Sequence, residues 1–250
     1  MTTGNAPTAP YARFCREAWD MSAHCHIAVA ADQSLIADTV SAALVGPTMR
    51  VTRVPWRDPS VPRAPRPRFA EPVDVGLMLC DLQPLARLVQ AQRMVHAAHE
   101  PWLVLTGAPR GPLWGAMLVA GAVAVQRSSA SLDDVRAMVG RILAGESLMT
   151  EAEVAELREA WLQDEQARRA AVESVRSLSP RETVVLALMH AGEPVQQIAE
   201  RLEVSESTVR SHVRAVLRKL DVRTQLAAVA EFETANVELD HEIGEWPVER

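Results

Sequence analysis

Between Ser205 and Leu220 two kinds of side chain recur at helical spacing. Ser207, Arg210, Ser211, Arg214 and Arg218 fall on one face, and Val209, Val213, Val216, Leu217 and Leu220 on the other. That periodicity predicts a helix anchored by its apolar side. The opposite side offers planar guanidinium donors and small hydroxyls. Arginine pairs bidentately with guanine in a major groove, and serine reaches bases or phosphates. The chemistry on offer is recognition of double-stranded DNA rather than catalysis.

The neighbouring sequence supplies the elements that would hold such a helix. Ser179-Pro180-Arg181-Glu182 has the form of a capping box with proline at the first helical position, so a helix starts there. Gly192 stops it. Val195, Ile198, Ala199 and Leu202 form the apolar stripe of a second helix. Glu203-Val204 is a tight link to Ser205, an N-cap for the third. Thr224 caps a fourth through TQLAAVAEF. Helix, short turn, helix is the helix-turn-helix order.

This block resembles the LuxR-type (NarL/FixJ-type) helix-turn-helix. The shared residues are Pro180-Arg181-Glu182, Val185-Leu186, Gly192, Ile198 to Leu202, Ser205, Thr208-Val209, His212, Leu217-Arg218-Lys219-Leu220 and Val222-Arg223. The resemblance implies DNA contact by Ser205, Ser207, Thr208, Arg210, Ser211, Arg214, Arg218 and Lys219. Arg210, Ser211 and Arg214 would face bases, and Arg218 and Lys219 phosphates. It also implies a homodimer through the fourth helix, at Leu226, Ala227, Val229 and Ala230. Region 4 of a sigma factor has a similar fold, but nothing upstream here looks like the helical region 2 that accompanies it.

The chain has 250 residues, 48% of them hydrophobic, enough for two domains with real cores. No apolar run reaches the roughly 18 residues of a membrane span, and the polar N-terminus has no signal-peptide pattern. Cys15, Cys25 and Cys80 form no disulfide framework and fit a reducing cytoplasm. A net charge of −6 looks unsuited to DNA, but the charge is unevenly placed. Residues 210–223 hold five strong bases and one acid, whereas residues 231–250 hold seven acids and one arginine. Local field governs DNA binding, so the basic helix outweighs the total. Lys219 is the single lysine.

Upstream, apolar runs alternate with helical patterns. Strands are expected at 27–31, 75–80, 102–107 and 123–125, and helices at 34–45, 84–99, 112–120 and from Ser131 to Leu143. Repeated β-α units imply a parallel, doubly wound (flavodoxin-like) sheet with its site at the carboxyl ends of the strands. The order resembles a response-regulator receiver domain. Joined to a LuxR-type block it implies a two-domain regulator.

A receiver forms an aspartyl phosphate, using Mg²⁺ and a lysine to neutralise charge on the transferring group. Carried onto this sequence, Ala31 and Asp32 fall at the acidic pair, Asp81 at the phosphoacceptor, Thr106 at the hydroxyl, Ser128 at or near the lysine, and Val125 at the switch aromatic. One carboxylate and the ammonium are missing, so the site is degenerate. Arg127 offers charge, but its planar fork is not a compact ammonium. Six prolines between Pro55 and Pro72 exclude the helix a receiver carries there. That stretch reads as a solvated linker.

Other groups carry little chemistry. His24-Cys25-His26 and His96 with His99 lack the spacing of a closed zinc site, so no metal is expected. Trp102 and Trp114 read as core, with a ligand pocket as the alternative. There is no Walker A loop or nucleophile elbow, and neither enzyme activity nor a cofactor is expected. The expected divisions are an N-terminal extension at 1–25, with 11–21 as a candidate helix, then a receiver-like domain at 26–147. A linker helix follows at 148–177, opened by a capping box at Thr150, then the DNA-binding domain at 178–236 and an acidic tail at 237–250. The reading is a cytoplasmic, phosphorylation-independent transcriptional regulator. The alternatives are a conventional regulator phosphorylated at Asp81, and a sensor that binds a small-molecule effector or a protein partner at the receiver-like domain.

Overall fold

The computed structural model describes residues 25–56 and 72–243, with side chains to residue 235. The expected N-terminal extension, His24 and most of the proline-rich stretch lie outside the described residues. The chain divides into two compact units, 1–161 and 162–250.

The first unit is a five-stranded parallel sheet in the order β2-β1-β3-β4-β5. Its strands are β1 (Cys25–Ala31), β2 (Met49–Val54), β3 (Val75–Leu79), β4 (Trp102–Thr106) and β5 (Ala124–Arg127). Its first four helices are α1 (Ser34–Leu44), α2 (Leu85–His96), α3 (Pro112–Ala120) and α4 (Leu132–Leu143). Helix α1 packs with α4, and α2 with α3, so the sheet is covered by two helix pairs. The strand order turns back between β1 and β3, which makes a doubly wound sheet with its crevice there. Strand β1 is buried along almost its whole length and β4 entirely. Central parallel strands covered on both faces read as unbroken apolar runs for this reason.

Strand β2 was not among the expected elements. It is an edge strand whose residues are mostly half-exposed, so Arg50, Thr52 and Arg53 interrupt the apolar pattern. Trp102 and Trp114 are core residues: Trp102 lies against Gly76, where a Cβ would come within 2.3 Å of the indole, and Trp114 Nε1 donates to the Ala108 carbonyl at 3.0 Å. Both rings are buried among the sheet's core residues. Helix α4 begins with a reciprocal capping box between Ser131 and Asp134.

Helix α5 (Glu151–Arg176) is 26 residues long and opens with the expected box, Thr150 Oγ1 accepting from the Glu153 amide. Leu157 and Trp161 join the core of the first unit, and Arg158 donates to the Leu118 carbonyl of α3 at 3.0 Å. Ala171 and Val175 join a core of the second unit.

The second unit adds α6 (Pro180–His190), α7 (Val195–Arg201), α8 (Glu206–Lys219) and α9 (Gln225–Ile243). Helix α9 continues into the stretch expected to be an acidic tail. Helices α6, α7 and α8 each end in the same hydrogen-bonded turn. Gly192, Glu203 and Asp221 take left-handed backbone (φ +80°, +53° and +54°), and the next amide donates back to a carbonyl five residues earlier. This double-bonded helix stop satisfies the orphan carbonyls and reverses the chain in two residues.

Gly115 fixes how closely α5 approaches α3. A Cβ there would lie 1.9 Å from the Leu157 carbonyl oxygen, whereas at Gly140 on α4 it would meet nothing within 4 Å. Gly115→Ala is expected to destabilise the first unit by about 1–3 kcal/mol through overpacking. Gly140→Ala is expected to be neutral or stabilising by up to about 1 kcal/mol. Urea unfolding followed by tryptophan fluorescence, to which the buried Trp102, Trp114 and Trp161 of this unit contribute, measures both.

Candidate nucleic-acid interface

Helix α8 is set by its cap and its apolar face. Ser205 is extended, and its Oγ accepts from the Thr208 amide at 3.2 Å. Ser205 Oγ also lies 2.7 Å from Ser207 Oγ and 2.8 Å from Thr208 Oγ1, so three hydroxyls gather at the positive end of the helix. Such an end attracts phosphate. Val209 and Val213 pack with Val185, Ile198 and Ala199 of α6 and α7. Val216 and Leu220 pack with Leu186, Ala228 and Phe232. With that face buried, Ser207, Arg210, Ser211, Arg214 and Arg218 are left exposed on the other.

These exposed groups differ in their availability. Arg210 donates to Glu206, one turn back, at 2.8 Å. Ser211 Oγ donates to the Ser207 carbonyl at 2.9 Å. Arg214 and Arg218 make no side-chain hydrogen bond or ion pair among the described residues. Glu206 was not singled out from the sequence, although its spacing from Arg210 is a familiar helical ion pair.

Lys219, expected at a phosphate, is bonded within the domain. Its ammonium lies 2.7 Å from the Glu182 carboxylate and 3.4 Å from the Ser177 carbonyl. Glu182 is buried because it closes the capping box of α6, accepting from the Ser179 amide at 2.7 Å. A buried carboxylate needs a counter-charge, and Lys219 is the one that reaches it. Its lysine bond, followed by the Ser179 amide, lowers the Glu182 pKa to about 2. In the fourth helix Leu226 is 80% exposed and Ala230 is exposed, Ala227 and Val229 are half-buried, and Ala228 is fully buried.

The carboxyl edge of the sheet gathers the residues expected to form the degenerate phosphorylation site. The Asp32 amide donates to the Leu79 carbonyl, the Cys80 amide to Leu105 and the Ser128 amide to Thr106, linking the ends of β1, β3, β4 and β5. Asp81 is exposed, and its amide donates to Asp32 Oδ2 at 3.3 Å. Thr106 is fully buried, its hydroxyl accepting from the Ala108 amide at 3.1 Å, whereas Ser128 is exposed. Val125 is buried. Arg87 of α2, not anticipated, places Nη1 3.1 Å from Asp32 Oδ2. Burial, with Asp32 and Asp81 close by, pushes the Cys80 thiol up to about 12, which leaves it a neutral thiol. No three His, Cys, Asp or Glu side chains gather as a metal-ligand set among the described residues.

A helix whose N-cap and apolar face are fixed by two preceding helices is a helix-turn-helix. Residues 176–232 match the family of bacterial regulatory proteins, luxR family. The nitrate/nitrite response regulator protein NarL of Escherichia coli K12 is 34% identical over 97 residues, 38% of this chain and 43% of that protein. The glycerol metabolism activator of Pseudomonas putida is 41% identical over 59 residues, 24% of this chain and 27% of that one. The chain therefore spans less than half the length of these relatives. Among solved structures, response regulator ChrA of a heme-sensing two-component system aligns over 86% of this chain and 98% of its own at 20% identity, with a TM-score of 0.41. The two-component response regulator RcsB in complex with DNA aligns over 84% and 98% at 18% identity, with a TM-score of 0.37.

The Glu182 bond has a pH signature. Its folded pKa lies below the ordinary 4.5, so its contribution is complete above about pH 4.5 and is lost as pH falls toward about 2. Lys219→Met is expected to destabilise the second unit and to flatten the loss of stability across that window. Thermal unfolding of both proteins from pH 6 down to about 2.5 measures this.

Proposed function

We propose that the chain is a sequence-specific regulator of transcription that binds double-stranded DNA as a homodimer, with a receiver-like unit that works without phosphorylation. The observation that carries the reading is the exposed face of α8, where Arg214 and Arg218, without side-chain partners among the described residues, stand beside Arg210, Ser207 and Ser211 above a hydroxyl cluster at the helix N-terminus. The likeness of residues 176–232 to the luxR family supports it. Arg214 and Arg210, with Ser211, read bases. Ser205, Ser207 and Thr208 bind phosphate at the N-terminus, and Arg218 does so further along. Lys219 contributes by holding α8 to α6.

One short helix reads too few base pairs for genomic specificity, so two copies act together. Leu226, with Ala227, Val229 and Ala230, supplies the dimer face. Independence from phosphorylation is supported by three features. Ala31 stands where a carboxylate is needed, no lysine precedes Lys219, and the Thr106 hydroxyl is enclosed and already bonded.

Chromatin immunoprecipitation with sequencing identifies the operator, and footprinting on that site tests the face. Purified protein is expected to bind without a phosphodonor. Arg214→Ala is expected to cost about 1–3 kcal/mol on the specific site. Arg218→Ala is expected to weaken all sequences alike and lower the salt slope, and Leu226→Asp to abolish cooperative binding to paired half-sites. An unchanged footprint in Arg214→Ala would refute the face. Stoichiometric labelling of Asp81 by acetyl phosphate and Mg²⁺, with a large gain in operator affinity, would replace this reading with a conventional response regulator. A metabolite that raised the melting temperature of the first unit would favour effector sensing.

A further inference from the structure

The fold calls for a divalent cation at the carboxyl edge of its sheet, and the residues there do not suit one. Of the two expected carboxylates, one position is Ala31. The other, Asp32, has a side chain only 6% exposed, and a single oxygen, Oδ2, receives both the Arg87 guanidinium at 3.1 Å and the Asp81 amide at 3.3 Å. A metal entering here would have to displace an intramolecular cation from an enclosed carboxylate.

We infer that Arg87 is a built-in substitute for the divalent cation, neutralising Asp32 permanently and leaving this edge of the sheet with no use for metal. Three features agree. Arg87 comes from the first turn of α2, which is seated by Leu88, Ala91 and Val95, all buried, so the guanidinium is delivered by a fixed element. The bond ties α2 to the end of β1 without any ion between them. Asp81, whose own Oδ1 accepts from the Gln83 amide at 3.3 Å, is left solvent-facing, with Arg87 as the cation at its neighbour. The inference rests on the receiver-like reading of the first unit and is independent of DNA binding.

The test is melting of the full-length protein with and without millimolar MgCl₂, paired with Mn²⁺ binding by electron paramagnetic resonance. The native protein is expected to show no Mg²⁺-dependent shift and no Mn²⁺ site that Asp32→Asn removes, a control that subtracts ion binding elsewhere. Arg87→Gln leaves Asp32 without its cation. It is expected to melt several degrees lower in metal-free buffer and to recover with Mg²⁺, and the Arg87→Gln/Asp32→Asn double variant to lose that recovery. Arg87→Lys, which keeps a cation, is expected to fold and to stay blind to Mg²⁺. A native Mn²⁺ site abolished by Asp32→Asn would overturn the inference whatever the variants do. So would an Arg87→Gln protein that folds and ignores Mg²⁺. Operator binding is read separately, so a failure here leaves the DNA reading standing.

Discussion

Helices α6 and α8 both contribute to each of the two apolar clusters in the second unit, and the direction of the arginine face follows from how they meet. Val209, Val213 and Val216 are essentially enclosed, each with a burial value of roughly 1.5–3 kcal/mol. Rotating α8 by one residue position would exchange Val209 and Val213 for Arg210 and Arg214, or for Thr208 and His212. The apolar stripe therefore fixes the azimuth of the polar face far more strongly than any surface ion pair does. Glu182 and Lys219 add a directional bond at the far end of the same contact, so α8 is held at its start by Ser205, along its length by valine and at its end by charge.

The same economy of charge recurs in the first unit. An enclosed carboxylate must be protonated, paired or metal-bound. Glu182 and Asp32 are both paired, each with one cation from a helix distant in sequence. In each case the acid is the enclosed partner and the base the more exposed one, as expected when long basic side chains keep their stems against protein and their heads near water.

Most of this architecture was legible in the residues, and the gaps have physical causes. Capping boxes at Ser131, Thr150 and Ser179 are local, so sequence shows them directly. Central strands β1, β3 and β4 announce themselves by unbroken apolar runs. Edge strand β2 does not, because half of it faces water and its arginines resemble loop. The exposed face of α8 was readable from period alone. The partners of Asp32 and Lys219 were not: Arg87 and Glu182 lie 55 and 37 positions away, and only the folded chain brings them within bonding distance. Lys219 read as a surface cation because composition reveals charge without revealing where the side chain turns.

The lone lysine gives the molecule an unusual chemical simplicity. Its side-chain amine, 35% exposed and bonded to the carboxylate that caps α6, is the sole side-chain primary amine in the sequence. Acyl transfer to nitrogen would turn that ammonium into a neutral amide and strand the Glu182 carboxylate in an enclosed site. A covalent event at the C-terminal end of α8 would thereby loosen the joint that aims the arginine face. Amine-directed labelling of this protein thus reports on one joint between two helices, with the chain terminus as the other reactive nitrogen.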